Sequence, residues 1–261
     1  MINAYSYTDI GGRSHNEDAV CIRQTGENQF LAVLADGLGG HGGGEIASEI
    51  AVETLENGWK GISSPAVLYD LILQAHRRIL SSQTPVCRMR STIIALSVGS
   101  GHADWAYAGD SRLYQFYNGE LVYQTRDHSA SQVAVLMGEI TQDEIRFHKD
   151  RSQLFRALGQ DGGLNVDTGS VDLIPGQYAF LLCSDGFWEY VYEQEMTVSL
   201  AKASSPEDWV EKMRSILRQL SGLPYRRGAN DRYEKKTNKD NCRFMYDVLS
   251  FARWMRTKNG R

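Results

Sequence analysis

The strongest constraint in this 261-residue chain is an apolar run that ends in a carboxylate and a cluster of glycines. FLAVLAD, residues 30–36, is followed by GLGGHGGG, residues 37–44, which places six glycines in eight residues. Glycine in a regular element costs roughly 0.5–1 kcal/mol relative to alanine, so such a cluster needs a structural reason. Two interpretations are open here. The stretch is either a flexible turn between a strand and a helix, or a place where the backbone approaches a bound group, with Asp36 and His41 directed at it.

Short strand-like and helix-like segments follow one another along the chain. The apolar run 30–36 predicts a buried strand, and apolar residues at three- and four-residue spacing predict helices over 46–55 and from about 65 to 80. The dipeptide Asn118-Gly119 between alternating residues predicts a β-hairpin. Further strand-like runs are STIIALSV, ADWAYAG and QYAFLLCSD, and further helical patterns lie at 131–138 and 205–220. This mixture favours an α+β layered fold over a parallel βαβ sheet.

Composition excludes several classes of protein. The 28 basic and 32 acidic residues give a net charge of −4, so no global basic field recruits nucleic acid or a membrane surface. The four cysteines are scattered and form no CxxC pair, which is typical of reduced thiols. We find neither a signal-peptide pattern nor an apolar run approaching the roughly 20 residues of a membrane span. These observations predict a cytoplasmic protein with a single domain over residues 1–261.

Several carboxylates follow strand-like runs. Asp36 and Asp185 each close an apolar run before a glycine, Asp110 follows WAYAG, and Asp18 precedes AVCIRQ. A carboxylate at the end of a buried strand is costly unless it is paired or bound to a cation. Each of these residues alone is more often part of a plain turn, but their joint occurrence indicates convergence on one site. Hard divalent cations such as Mg²⁺ and Mn²⁺ prefer such oxygen ligands.

A site of this kind has a known chemistry. Two cations about 3.5–4 Å apart, bridged by a carboxylate, hold and deprotonate a water that attacks phosphorus. Arg13, in GGRSHNED, is a candidate for binding the phosphate with its planar guanidinium. From the residues alone, a solvated surface arginine is the more common interpretation of Arg13.

Seven motifs then occur in order: GGRSHNEDAV, LADGLGGHGGGEIAS, RSTIIAL, WAYAGDSRLYQF, TRDHS, FRALG and LLCSDGFWEYV. Together they closely resemble the metal-dependent protein serine/threonine phosphatases of the protein phosphatase 2C type, in their compact bacterial form. The resemblance implies an antiparallel β-sandwich flanked by helices on both faces, with two Mn²⁺ or Mg²⁺ ions at one end. It also implies hydrolysis of phosphoserine and phosphothreonine in proteins by direct attack of a metal-bridging water or hydroxide.

The resemblance further implies a role for each site residue. Asp36 is the bridging metal ligand, and the Gly37 carbonyl is a second contact. The remaining metal ligands are Asp18, Glu17 through water, Asp185 and Asp240, while Asp110 holds a weaker third metal with Asp185. Arg13 binds the substrate phosphate. His41 is a candidate acid for the leaving alkoxide, or instead a hydrogen-bonding partner of metal-bound water.

The end of the chain departs from the family pattern. Asp240-Asn241 is followed by Cys242 where the family has a hydroxyl residue, and Asp231 is a competing ligand nine residues earlier. From about residue 226 the segment is polar and basic, so we expect an exposed, mobile loop and an irregular final strand.

Function classes and partners are expectations at this point. A catalytically silent relative that binds phosphoproteins is the competing interpretation, and a two-metal nuclease would need a more basic groove. Expected partners are phosphoprotein substrates, including a Ser/Thr kinase or its targets, with no nucleic acid and no membrane. The chain is expected to be a monomer.

Overall fold

The computed structural model describes residues 2–10, 15–39, 43–221 and 246–254. Within these ranges, ten strands and six helices form four layers. The strands are β1 (Ile2–Asp9), β2 (Asp18–Gly26), β3 (Gln29–Asp36), β4 (Ile93–Gly99), β5 (His102–Ala108), β6 (Arg112–Tyr117), β7 (Glu120–Gln124), β8 (Asp167–Asp172), β9 (Gln177–Cys183) and β10 (Tyr246–Trp254). The helices are α1 (Gly44–Gly58), α2 (Pro65–Ser82), α3 (Ala130–Leu136), α4 (Asp185–Trp188), α5 (Glu193–Ala201) and α6 (Pro206–Ser221), with a 3₁₀ helix at Asp143–Phe147.

Two five-stranded antiparallel sheets form the centre of the molecule. Their strand orders are β1-β10-β9-β6-β7 and β2-β3-β4-β5-β8. Between the sheets lies an apolar core whose members include Phe30, Leu34, Ile94, Phe180 and Leu182. The predicted α+β fold, an antiparallel β-sandwich flanked by helices on both faces, is confirmed.

Each outer face of the sandwich is covered by helices. The apolar stripes of α1 and α2 pack on the second sheet through residues such as Leu55, Ile72 and Ile79. On the first sheet, α4, α5 and α6 contribute a second layer that includes Trp188 and Trp209. A sheet with both faces buried reads as a continuous apolar run, which explains the pattern of residues 30–36.

Local sequence signals fix several turns. Asn118 and Gly119 both have positive φ, 51° and 89°, as the predicted two-residue hairpin between β6 and β7 requires. Gly43 precedes α1 with φ 77°, a conformation that glycine adopts without strain. Pro65 occupies the first turn of α2, where its missing N–H costs nothing.

The last strand differs from its expectation. We expected an irregular C-terminal strand, whereas β10 is a regular strand of nine residues, Tyr246–Trp254. It lies between β1 and β9 and pairs antiparallel with both, Val248 with Tyr7 on one side and Cys183 on the other. A central position in a sheet supplies hydrogen-bond partners on both edges, which compensates for its mixed composition.

The strand pairing determines which strand ends lie together in the second sheet. Antiparallel pairing brings the start of β2, the end of β3, the start of β4 and the end of β5 to one end of the second sheet. Cys21 and Cys183 are buried free thiols. Among the helices of the described ranges, none combines the length and apolarity needed to cross a membrane.

Candidate functional site

Two of the predicted carboxylates face each other across neighbouring strands. Asp18 opens β2 and Asp36 closes β3, and the two residues are direct partners in the antiparallel register. Asp36 is 8% exposed, and both carboxylate oxygens of Asp18 are buried. Just beyond the pair, the Gly37 N–H donates to the Glu17 backbone oxygen at 3.0 Å, which keeps the two chain segments together.

The backbone of Asp36 is held by the segment that leads into β4. Its N–H donates to Thr92 Oγ1 at 3.0 Å, and its carbonyl oxygen accepts from the Thr92 N–H at 2.8 Å and from the Ser91 hydroxyl at 3.0 Å. Ser91 and Thr92 are fully buried. Neither was predicted to support the site, although two adjacent hydroxyl residues at the start of a buried strand were the available signal.

The other two predicted carboxylates arrive from outside this strand pair. Asp110 follows β5 and is 5% exposed, and Asp185 begins α4 directly after β9. The indole N–H of Trp188, at the end of α4, donates to the Asp110 backbone oxygen at 2.9 Å. This contact fixes the loop carrying Asp110 to the helix carrying Asp185.

The pKa directions show that the four carboxylates share one electrostatic environment. Burial raises the pKa of Asp36 well above its usual value, and the charges of Asp18, Asp185 and Asp110 raise it further. Burial also raises the pKa of Asp110, with further contributions from Asp185 and Asp127. The neighbouring carboxylates therefore disfavour ionisation of Asp36 and Asp110.

A bound cation would reverse this penalty. A cluster of buried carboxylates that repel one another is the donor set that a hard divalent cation compensates, so the residues fit a Mg²⁺- or Mn²⁺-type ion. In the parts of the chain that the structure describes, no three Asp, Glu, His or Cys side chains are arranged to hold an ion by themselves. The described carboxylates thus converge without forming a complete cage.

The glycines after Asp36 are explained by close contacts. A Cβ on Gly37 would overlap backbone atoms of Glu17 and Gly44, and a Cβ on Gly39 would overlap the Glu17 carboxylate. A Cβ on Gly44 would lie 3.0 Å from Glu17 Oε1. Glycine is required at these positions because the backbone passes directly against other backbone atoms and against the Glu17 carboxylate. The approach of this stretch to a bound group stays a prediction.

Three predicted site residues lie outside the described residues. These are Arg13, His41 and Asp240, together with the competing Asp231. The structure brings the other predicted residues to the same end of the sandwich: Glu17, Asp18, Asp36, Gly37, Asp110 and Asp185.

A buried arginine supports this site and was missed from the sequence. Arg112 is 1% exposed, and its guanidinium carbon lies 3.5 Å from the centre of the Trp188 ring. Its partner is Asp127, at 2.8 Å from Nε. The motifs GDSR and TRDHS contained both residues, but nothing in their spacing indicated a pair.

Comparisons with known proteins agree with this geometry. The serine/threonine phosphatase stp of Listeria welshimeri is 34% identical over 202 residues, 72% of this chain and 79% of that protein. The PPM Ser-Thr phosphatase MsPP from Mycobacterium smegmatis, solved with cacodylate, is 26% identical with a TM-score of 0.76, over 97% of this chain and 98% of that chain. The catalytic domain of the phosphatase PstP, solved with 2 manganese ions, is 23% identical with a TM-score of 0.72, over 96% and 98%.

A family model adds the extent of the match. Residues 8–222 match the model described as Protein phosphatase 2C, and this range includes the strands and loops that carry Asp18, Asp36, Asp110 and Asp185. The chain therefore belongs to the protein phosphatase 2C family.

Proposed function

We propose that this protein is a metal-dependent phosphatase that hydrolyses phosphoserine and phosphothreonine in proteins. The observation that carries the proposal is the meeting of Asp18, Asp36, Asp110 and Asp185 at one end of the sandwich in a chain of this family. The relatives named serine/threonine phosphatase support the substrate class. The PstP structure with 2 manganese ions supports dependence on divalent cations.

The carboxylates would divide the binding of cations among them. Asp36 would bridge two ions. Its position opposite Asp18 and in the field of Asp185 and Asp110 supports this role. Bound divalent cations supply Lewis-acid chemistry for phosphoryl transfer. The Gly37 carbonyl would be a second metal contact, Asp18 and Asp185 would be further ligands, and Glu17 would act through water. Asp110 with Asp185 would hold a weaker third ion.

The remaining roles belong to residues outside the described ranges. Arg13 would bind the phosphoryl oxygens with its guanidinium, and His41 would carry a proton to the leaving alkoxide or hydrogen-bond water at the centre.

Asp240 would be the last metal ligand. Replacing Asp240 and Asp231 by asparagine, one at a time, shows which of the two residues binds the metal. Asp240→Asn should weaken Mn²⁺ binding in calorimetry and cut the rate severely, whereas the opposite pattern would assign the role to Asp231.

The cellular setting is part of the proposal. Substrates would include a Ser/Thr kinase or the targets of such a kinase, and the chain would act as a monomer in the cytoplasm. The free thiols of Cys21, Cys87 and Cys183 favour a reducing compartment. Gel filtration and dephosphorylation of a phosphorylated kinase domain would test these points.

The decisive experiment is turnover with and without metal. We expect hydrolysis of p-nitrophenyl phosphate and of a phosphothreonine peptide in Mn²⁺ or Mg²⁺, and loss of both activities in EDTA. Full activity in a metal-free preparation would refute the proposed mechanism. Binding of the phosphopeptide without turnover would instead support a catalytically silent phosphoprotein-binding relative.

A further inference from the structure

The segment before β4 runs alongside the glycine-rich stretch. Gly37 and Ser91 form an antiparallel bridge, and the Leu38 N–H donates to the Arg90 backbone oxygen at 2.9 Å. The β3–β4 register therefore continues past the end of both strands, with Thr92 opposite Asp36 and Arg90 opposite Leu38. Arg90 is thus held by backbone hydrogen bonding one register step beyond the carboxylate cluster.

The alternation of side chains indicates which face Arg90 occupies. Leu34 and its partner Ile94 lie in the core between the two sheets. Successive residues of an extended segment alternate between faces, so Asp36, Thr92 and then Arg90 share this inner face. Met89 lies on the opposite face, in the core beneath α1 and α2. Arg90 therefore belongs to the same face as Asp36, about 7 Å along the chain from Thr92.

The charge of Arg90 is not compensated by the described protein. Within the described ranges its guanidinium makes no ion pair, and its Nε is buried without a hydrogen-bond partner, although the residue is only half-buried. Two other arginines, by contrast, form ion pairs. Arg88, two residues earlier, pairs with Asp161 at 2.8 Å, and Arg112 pairs with Asp127. A buried N–H donor without a partner is costly, so Arg90 Nε is available to an acceptor that reaches it.

We propose that Arg90 is a substrate-binding residue that contacts a phosphoryl oxygen of the phosphorylated side chain. This inference rests on the proposed function. Its ligand is the phosphate group, because a guanidinium presents parallel N–H donors that match phosphoryl oxygens. The cluster carboxylates themselves are excluded as its partners, since none lies within ion-pair distance of Arg90 in the described structure. The phosphate would thus be held by Arg90 from the side opposite β2.

The test compares variants that remove or move this one charge. Arg90→Gln keeps the length of the side chain, Arg90→Lys keeps the charge, and Arg88→Ala is the matched control from the same segment. With p-nitrophenyl phosphate and saturating Mn²⁺, Arg90→Gln should raise KM about tenfold or more, as expected for a lost charge-assisted hydrogen bond, while changing kcat little. Arg90→Lys should recover part of this loss, and Arg88→Ala should leave KM unchanged.

A binding measurement separates this inference from the proposed function. Calorimetric titration of inorganic phosphate into the Mn²⁺-loaded protein should show about tenfold weaker binding for Arg90→Gln, whether or not the protein turns over substrate. Absence of turnover with phosphate binding that depends on Arg90 would refute the phosphatase proposal and keep the residue's role. Unchanged KM and unchanged phosphate affinity in folded Arg90→Gln would overturn the inference, as would an equal loss in Arg88→Ala.

Discussion

Arg112 and Asp127 form a buried bidentate ion pair beside the carboxylate cluster. Arg112 Nε lies 2.8 Å from Asp127 Oδ1, and Nη2 lies 2.8 Å from Oδ2. The guanidinium also packs on the Trp188 ring, whose N–H is donated to the Asp110 backbone. The pair therefore supports the position of Asp110 through Trp188 and remains outside the cluster itself.

Breaking this pair from one side should destabilise the fold. Asp127→Asn removes the bidentate partner of the buried Arg112 charge and leaves only Glu193, whose Oε1 lies 3.9 Å from Arg112 Nη1. We therefore expect the free energy of unfolding to fall by about 3–5 kcal/mol in urea denaturation. The double variant Arg112→Met/Asp127→Leu should recover much of this loss, because it removes both charges. A loss below about 1 kcal/mol in Asp127→Asn would show that the pair contributes little.

Removing the central carboxylate should have opposite effects on stability and metal binding. Asp36→Asn relieves repulsion from Asp18, Asp110 and Asp185, so the metal-free protein should melt at a higher temperature than wild type. The rise in melting temperature on adding Mn²⁺ should be small or absent in this variant, and turnover should be lost. The control is Asp161→Asn, a surface carboxylate paired with Arg88. A normal Mn²⁺ response in Asp36→Asn would contradict its assignment as a ligand.

The glycines can be tested individually. Gly37→Ala places a Cβ against backbone atoms of Glu17 and Gly44, which have little room to move, so stability should fall by roughly 1–3 kcal/mol and activity with it. Gly163→Ala is the control, since its Cβ would enter open space. Chemical denaturation of both variants is sufficient. Equal stability of the two proteins would refute the close approach at Gly37.

His76 should contribute a pH dependence to stability. Its Nδ1 accepts from the Gly159 N–H at 3.2 Å, and burial lowers the pKa of His76 below 6.5. The folded state then binds the proton less tightly than the unfolded state, so this stability is present above about pH 6.5 and is lost as pH falls through the folded pKa. His76→Asn keeps an acceptor for Gly159 and should flatten the decline of melting temperature between about pH 7 and about pH 5. An unchanged slope would exclude His76 as its source.

Local patterns were sufficient for much of the fold. Local patterns predicted the strand at 30–36, the helices α1 and α2, and the Asn118-Gly119 turn. In each case the conformation depends on residues that are close together in the sequence. Strands β1 and β8 were not predicted, because their stability comes from pairing with β10 and β5 and their own residues are largely polar.

For the candidate site too, some features follow from the sequence and others only from the tertiary structure. The sequence by itself determined that Asp18, Asp36, Asp110 and Asp185 follow or precede strands, because chain order and the cost of burying a carboxylate are local properties. Tertiary structure alone decided that Asp18 lies opposite Asp36, that Arg112 pairs with Asp127, and that Arg90 lies opposite Leu38. These relationships depend on strand register and on packing between distant segments, and a one-residue shift in register would turn each side chain to the other face of the sheet.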